Sequence, residues 1–591
     1  MTKRIAIVAG LLVQALAAQT PIMPLAEVRA GMRGVGKTVF SGDRVEEFGV
    51  EILGVLENAG PKQSVILARL YGGPLEKTGV LQGMSGSPVY IDGKLVGAVA
   101  LAFPLATEPI TGIRPIEEML RGAPEAALKR VARRVTPWER DLTRWFEGPA
   151  ELLAGGSRMV EIATPVSFSG FTPRTIDCFA PQLRALGLEP RQGMSGGGAR
   201  SSEPAAKAKL EPGSMISVQL VTGDMSVGAD GTVTYVDGER IYAFGHRFLS
   251  VGATELPFAR AEVLALAPNL ATSFKISAAR ETLGAITADY STAVRGELGR
   301  RAATVPVSIT VKGPPRGGGA ERVSTYRVEM VNERFLSPFL LQMIVYSAID
   351  ATERTLGTET VVVRGEAEFE NGIGPVRLDD VYAGEANVPV QASLGVAAPL
   401  AYLLQSGFDE LRLKAIRLEA EVFPERRQWV IDQIWPSRER VRPGDSVDIM
   451  VALSGEDGAE QIHRVTYKVP PGAPTGPLYF TVADAMTTNL AEYYHLIGQR
   501  MRTPTQLVRL LNELRSNSGV YVRVWRPYRS YNVQGRSLPV PPPSVALVMG
   551  RTQPAAGGAA TGYTSKVAEL KIELGDAAAT GSKTIQVEVR E

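Results

Sequence analysis

At 591 residues the chain is too long for one hydrophobic core and points to about three or four domains. Its 64 Lys+Arg nearly cancel its 62 Asp+Glu, which leaves no electrostatic case for nucleic acid or an acidic lipid surface as partner. A single cysteine, Cys178, excludes an intramolecular disulfide framework, and with His246, His463 and His495 far apart in sequence no metal or cofactor is expected.

The N-terminus reads MTKRIAIVAGLLVQALAAQ. Lys3 and Arg4 precede an apolar run from Ile5 to about Leu16, with small residues at Ala15, Ala17 and Ala18. That pattern predicts a signal peptide over residues 1–18 and an exported protein, placed in a periplasm, in a cell envelope or outside the cell. The run is too short to span a bilayer. LVGAVALAFPLA is the next candidate and is broken by Pro104, so no transmembrane segment is expected in the mature chain.

The 61 glycines and 40 prolines favour many short strands over long helices, so the expected fold class is mainly β. Residues 24–121 hold the strand-like segments TVFSG, FGVEILGVL and SVILARLYG. VYIDGKLVGAV follows, in which Asp92-Gly93 reads as a two-residue hairpin turn. IRPIEEMLR then reads as helix. Residues 122–209 are expected to be part helix (PEAALKRVARRV) and part linker (GMSGGGARSSEPAAKAK). Residues 210–415 open on ISVQLVTGDMSVGADGTVTYVDGERIYAFGHRFLSVG, where Asp237-Gly238 is expected to repeat the first hairpin. Residues 416–591 alternate in the manner of a C-terminal β-sandwich. One helix interrupts them at TPTQLVRLLNELR, with Thr503 as N-cap, Pro504 at the first position and Leu507, Leu510, Leu511 and Leu514 on one face.

Two matches to known motifs lack their context. GMRGVGKT (31–38) fits the phosphate-loop pattern, but no buried strand precedes it and no helix follows. GMSGG around Ser195 fits the nucleophile-elbow pattern without the strand-to-helix turn it needs. Ser85, in LQGMSGSPVYIDG, differs. Gly83 and Gly86 let the backbone turn sharply, and in two-barrel serine peptidases such a turn displays the nucleophile while its N–H groups hold the oxyanion. Of the three histidines, His246 follows Gly245 at a strand end, where a ring can face a cleft, and it is the plausible base for Ser85.

GDRVEEFGVEILGV, LEKTGVLQGMSGSPVYIDGKLVGAVALAF and GTVTYVDGERIYAFGH together resemble segments of the SpoIVB-type serine peptidases, the stage IV sporulation protein B family. The resemblance covers roughly residues 24–121 and 210–300. It implies a chymotrypsin-like double β-barrel with Ser85 as nucleophile, His246 as general base, and the Gly83 and Ser85 N–H groups as the oxyanion hole. The expected substrate is a protein or peptide. Three departures accompany it. The serine segment precedes the histidine segment, the reverse of the sporulation peptidase, which implies a permuted barrel pair or pairing across chains. Gly72-Gly73-Pro74 stands where the family carries its acid, leaving Glu255 or Asp224 as weak candidates for the third member. No PDZ-like segment is present. The expected function is therefore an exported serine endopeptidase. The alternative is a non-catalytic secreted binding protein retaining the peptidase fold, since an unoriented histidine costs about four orders of magnitude in rate.

Overall fold

The computed structural model describes residues 20–121, 135–146, 148–149, 151–154, 157–193, 210–314, 322–352, 359–456, 458–496, 503–528, 530–533, 536–539, 541–551, 560–562 and 564–591. The expected signal peptide and Ser195 lie outside the described residues.

The first barrel is built from one stretch of chain. Its strands are β1 (Arg33–Ser41), β2 (Arg44–Gly60), β3 (Gln63–Tyr71), β4 (Pro88–Ile91), β5 (Lys94–Ala102) and β6 (Ile110–Pro115), with the short helix α1 (Leu75–Thr78) after β3 and α2 (Ile116–Arg121) after β6. The ladder runs β4-β1-β2-β3-β6-β5, and a β4–β5 pairing closes it into a ring of six. The β4–β5 pairing covers Lys94–Ala98, so the end of β5 at Leu101 and Ala102 runs past β4 and keeps a free edge. The GMRGVGKT segment runs into β1 and back through β2, so no helix follows its glycines. Asp92 and Gly93 both have positive φ between the paired Ile91 and Lys94, the two-residue hairpin that the sequence predicts. IRPIEEMLR divides: Ile113–Pro115 finish β6, and only Ile116 onward is helical.

Residues 122–209 hold more strand than expected. β7 (Glu151–Ala154) and β8 (Ser157–Glu161) extend the first sheet from β5, while β9 (Thr164–Ser169), α3 (Pro173–Ala185) and β10 (Leu188–Gln192) join the second. The helical reading of PEAALKRVARRV falls outside the described residues except for Val135, which is not helical. The Thr172 side chain accepts from the Thr175 N–H and Pro173 opens α3, so local sequence fixes where that helix starts.

The second barrel uses β11 (Met215–Gly223), β12 (Ser226–Asp237), β13 (Arg240–Ala243), β14 (Gly252–Ala267), β15 (Phe274–Tyr290) and β16 (Ala293–Leu298). They pair in the order β12-β13-β16-β15-β14-β11, and β11 returns to β12 to complete a second ring. The chain is thus mainly β with paired barrels, as the resemblance implies. Asp237 pairs with Arg240, so the hairpin loop is Gly238-Glu239, shifted one residue from the expected Asp237-Gly238. Only Gly238 of that loop has positive φ, and its place at the first loop position sets the register.

Beyond the rings, β17 (Thr304–Gly313) and β18 (Arg322–Val331) continue the sheet from β11. The apolar helices α4 (Leu336–Thr352) and α5 (Val388–Leu404) are buried along most of their length in the largest core. The sandwich begins at about Gln428. A four-stranded sheet including Ser446–Ser454 faces a five-stranded one including Gly476–Ala483 and Ser582–Val589, around Ile449, Phe480 and Val587. Helix Pro504–Asn512 carries the predicted Thr503 cap, but its buried Leu507, Val508 and Leu511 belong to the central core rather than to the sandwich.

Candidate active site

Ser85 sits on the turn between α1 and β4, and the turn is clasped from both barrels. From its own barrel, Gly86 N–H donates to Val99 O at 2.8 Å and Ser87 O accepts from Val99 N–H at 3.0 Å. From the other, Thr232 N–H donates to Ser85 O at 2.9 Å, Thr232 Oγ1 to Gly83 O at 2.8 Å and Thr234 Oγ1 to Gly86 O at 2.7 Å. Gly83 and Gly86 have φ of +91° and +93°. A Cβ on Gly86 would stand 2.0 Å from Thr232 O and 2.5 Å from Phe244 N, so this position requires glycine twice over. Met84, Gly86 and Ser87 donate their amides within the turn region or to β5, whereas among the described residues no backbone carbonyl accepts from Gly83 or Ser85. Those are the two amides that the resemblance assigns to the oxyanion.

His246 follows β13 in a loop that rests on β5. A Cβ on Gly245 would meet Ala98 Cβ at 3.1 Å and Ala100 Cβ at 3.3 Å. The run of short side chains in LVGAVALA, which reads as a buried strand, is what admits the loop so closely. Asp289 on β15 accepts from the amides of Phe248 at 2.8 Å, Leu249 at 2.7 Å and Val251 at 3.2 Å, and so fixes the chain just beyond the histidine. Burial pushes the Asp289 carboxyl up to about 6. Phe244 meets the His246 ring edge-on at 6.0 Å.

The imidazole is 2 % exposed and Ser85 is fully enclosed. His246 Nδ1 donates to Arg247 O at 2.6 Å, which leaves Nε2 as the ring's acceptor. Among the described residues neither Nε2 nor Ser85 Oγ has a hydrogen-bond partner, so the structure brings the two segments together across the barrel junction without a Ser85–His246 hydrogen bond. Catalytic hydrogen bonds are often long in a free enzyme and tighten on substrate. Burial lowers the His246 pKa below its ordinary value, with Glu161 and the Arg247 carbonyl acting the other way.

The two weak candidates for an acid lie elsewhere. Asp224 accepts from Arg327 N–H at 2.7 Å, and Glu255 pairs with Arg300 at 3.0 Å. Near His246 the carboxylate is Glu161, at the end of β8, whose Oε2 accepts from Arg247 Nε at 3.4 Å. Sequence reasoning missed it because residues 122–209 read as part helix and part linker rather than strand. His463 lies on the strand Glu460–Lys468 and His495 on the helix Ala485–Leu496, both in the C-terminal region.

A second buried group underlies the serine turn. A Cβ on Gly83 would stand 3.3 Å from Lys275 Cδ, so the lysine stem backs the turn, while its Nζ donates to Thr38 Oγ1 of the first barrel at 2.8 Å. Asp230, held by Ser277, lies within Coulombic reach. Burial lowers the Lys275 pKa to about 7 from 10.5 and raises that of Asp230 to about 6. Between pH about 7 and 10.5 the folded chain therefore holds fewer protons at Lys275 than the unfolded chain, and this group makes stability rise with pH. Lys275→Met, which keeps an apolar stem, is expected to flatten the dependence of Tm on pH across that window. An unchanged slope in thermal melts would show that the ammonium is not desolvated.

Residues 10–120 match the family model described as SpoIVB peptidase S55. Over that stretch the chain is similar to the SpoIVB peptidase family. The match takes in GMSGSP and the first barrel and stops short of His246. No curated protein and no solved structure matches the chain. Among the described residues no helix is long and apolar enough to cross a membrane, and no cluster of three His, Cys, Asp or Glu could hold a metal ion.

Proposed function

We infer that the protein is an exported serine endopeptidase of the SpoIVB type. The observation that carries the reading is the pair of buried, unpartnered atoms, Ser85 Oγ and His246 Nε2, on segments docked together where the barrels meet. Ser85 Oγ attacks the scissile carbonyl carbon as His246 Nε2 takes its proton, and the Gly83 and Ser85 N–H groups receive the negative oxygen. His246 then gives the proton to the departing amine as the C–N bond breaks. A water molecule attacks the resulting ester and loses its proton to Nε2, which passes it to Ser85 Oγ as the ester C–O bond breaks, releasing the carboxylic acid and free serine. The enclosed site lets these charges develop away from bulk water. Peptide must reach Ser85 through a local opening of the barrel junction. The C-terminal sandwich is the surface available for holding substrate, a partner or the cell envelope.

A lowered His246 pKa has a direct kinetic signature. The rate constant kcat/KM is expected to fall as pH drops, because protonated Nε2 accepts no proton, with the midpoint below the ordinary histidine value of about 6.5. A profile flat between about pH 4 and 8, measured on a peptide substrate, would remove the histidine base.

The non-catalytic reading draws on the missing Ser85–His246 hydrogen bond and the full enclosure of Ser85. Exposure of the purified protein to a fluorophosphonate separates the two. Labelling that Ser85→Ala abolishes supports the peptidase, and no labelling of the native chain supports the binding protein.

A further inference from the structure

We propose that Glu161 is the positioning carboxylate of His246 and that it acts through Arg247 rather than by bonding the ring. This rests on the reading of Ser85 and His246 as nucleophile and base. Glu161 ends β8, where it pairs with Leu101 of β5, and the next amide, of Ile162, donates to Ala100 O at 2.9 Å. The carboxyl is therefore fixed to the strand on which Gly245 rests. Its Oε2 accepts from Arg247 Nε at 3.4 Å, and the two side chains are 5 % and 13 % exposed. The same guanidinium donates to Gly148 O. Two anchors on one side chain hold the residue whose carbonyl accepts the hydrogen bond from His246 Nδ1–H.

In the usual triad one carboxylate does two things: it fixes the tautomer and it balances the imidazolium charge. A backbone carbonyl performs the first task but carries no net charge for the second. Here the tasks are divided between Arg247 O and Glu161. The charged groups facing the ring explain why the second is needed. Arg114 on β6 and Arg247 on the histidine loop both oppose a further positive charge, while Glu161 favours it. Arg114 is 2 % exposed and interacts with Glu161 as well as with Glu118. Asp289 on β15 is occupied by the amides of Phe248, Leu249 and Val251. Glu161 is thus the carboxylate that favours an imidazolium against the two guanidiniums.

The test is the isosteric Glu161→Gln, read in two ways. His246 is one of three histidines in the chain, so its ring Cε1–H signal can be followed by NMR through a pH titration in a Ser85→Ala background. Glu161→Gln is expected to lower the pH at which His246 titrates and to move the acid limb of the kcat/KM profile the same way. It should also cut kcat/KM at pH 7 by more than tenfold, yet by less than the roughly 10⁴-fold that follows loss of the correct tautomer, since the Arg247 carbonyl remains. Glu161→Asp keeps the charge at a longer distance and should give a smaller displacement of both. It serves as the test if the glutamine variant does not fold. A purely structural Glu161 would change stability without moving either titration. A folded variant with an unmoved His246 titration therefore overturns the proposal while the wild type still reacts with a fluorophosphonate. Labelling that survives Ser85→Ala would instead overturn the underlying peptidase reading.

Discussion

Ser85→Ala is expected to lower kcat/KM by about 10⁶-fold and to end fluorophosphonate labelling, the scale seen when a serine peptidase loses its nucleophile. On the proposed mechanism the expected loss is large because Ser85 and His246 would act as a unit: without the hydroxyl, the base would have no proton to take. The neighbouring Ser87 provides the control. Among the described residues its hydroxyl is also buried and unpartnered, and the hydrogen bonds of Ser87 run through the backbone, to Met84 O and from Val99 N–H. Ser87→Ala should keep the turn, the labelling and most of the rate. A Ser85→Ala enzyme that retains activity within tenfold of wild type would remove Ser85 from the reaction. Labelling lost only with Ser87 would transfer the role two residues along.

Gly86→Ala carries the largest expected effect on stability. A methyl group there meets backbone on two sides, Thr232 O at 2.0 Å and Phe244 N at 2.5 Å, and neither belongs to a flexible side chain. A positive φ costs a non-glycine residue about 1–3 kcal/mol, and forcing atoms into packed structure adds a similar amount. Together these predict a loss of roughly 2–6 kcal/mol, measurable by urea unfolding, or a barrel junction that no longer closes. Gly93→Ala is the matched comparison. Gly93 also has positive φ, but a Cβ there meets nothing within 4 Å, so only the backbone cost of about 1 kcal/mol remains. Equal losses at the two positions would show that Gly86 is needed for its dihedral angles and not for the approach of Thr232 and Phe244.

The serine turn, the first hairpin and the capped helix at Thr503 were legible in the sequence because each is a local choice written in a few adjacent residues. Asp92-Gly93 and Thr503-Pro504 need no knowledge of what lies across the core. The second hairpin shows the limit. VDGER offers both Asp237-Gly238 and Gly238-Glu239, and the pairing of Asp237 with Arg240 across the sheet decides between them. Glu161 was harder still. Its strand is short, lies in a charged stretch, and forms only because β5 supplies a free edge at Leu101 and Ala102. Asp289 and Lys275 read as ordinary strand residues. Their importance comes from partners 38 to 41 and 237 positions away, and no periodicity of one strand encodes such partners. Paired barrels entered through resemblance to a family. The family pattern included Thr232 and Thr234 within GTVTYVDGERIYAFGH, but not their task of carrying the serine turn from the other barrel.

Each ring of six closes within its own stretch of sequence, the first by Pro115 and the second only between Met215 and Leu298. Synthesis runs from the N-terminus, so the ribosome finishes the serine-bearing barrel well before it makes the histidine. During that interval Ser85 stands without His246, with no threonine clasp on its turn and no roof over it. On the proposed roles, the order of the two barrels along the gene imposes a delay: hydrolytic chemistry would have to wait for the second ring, and a chain broken off between the two would carry only an idle serine.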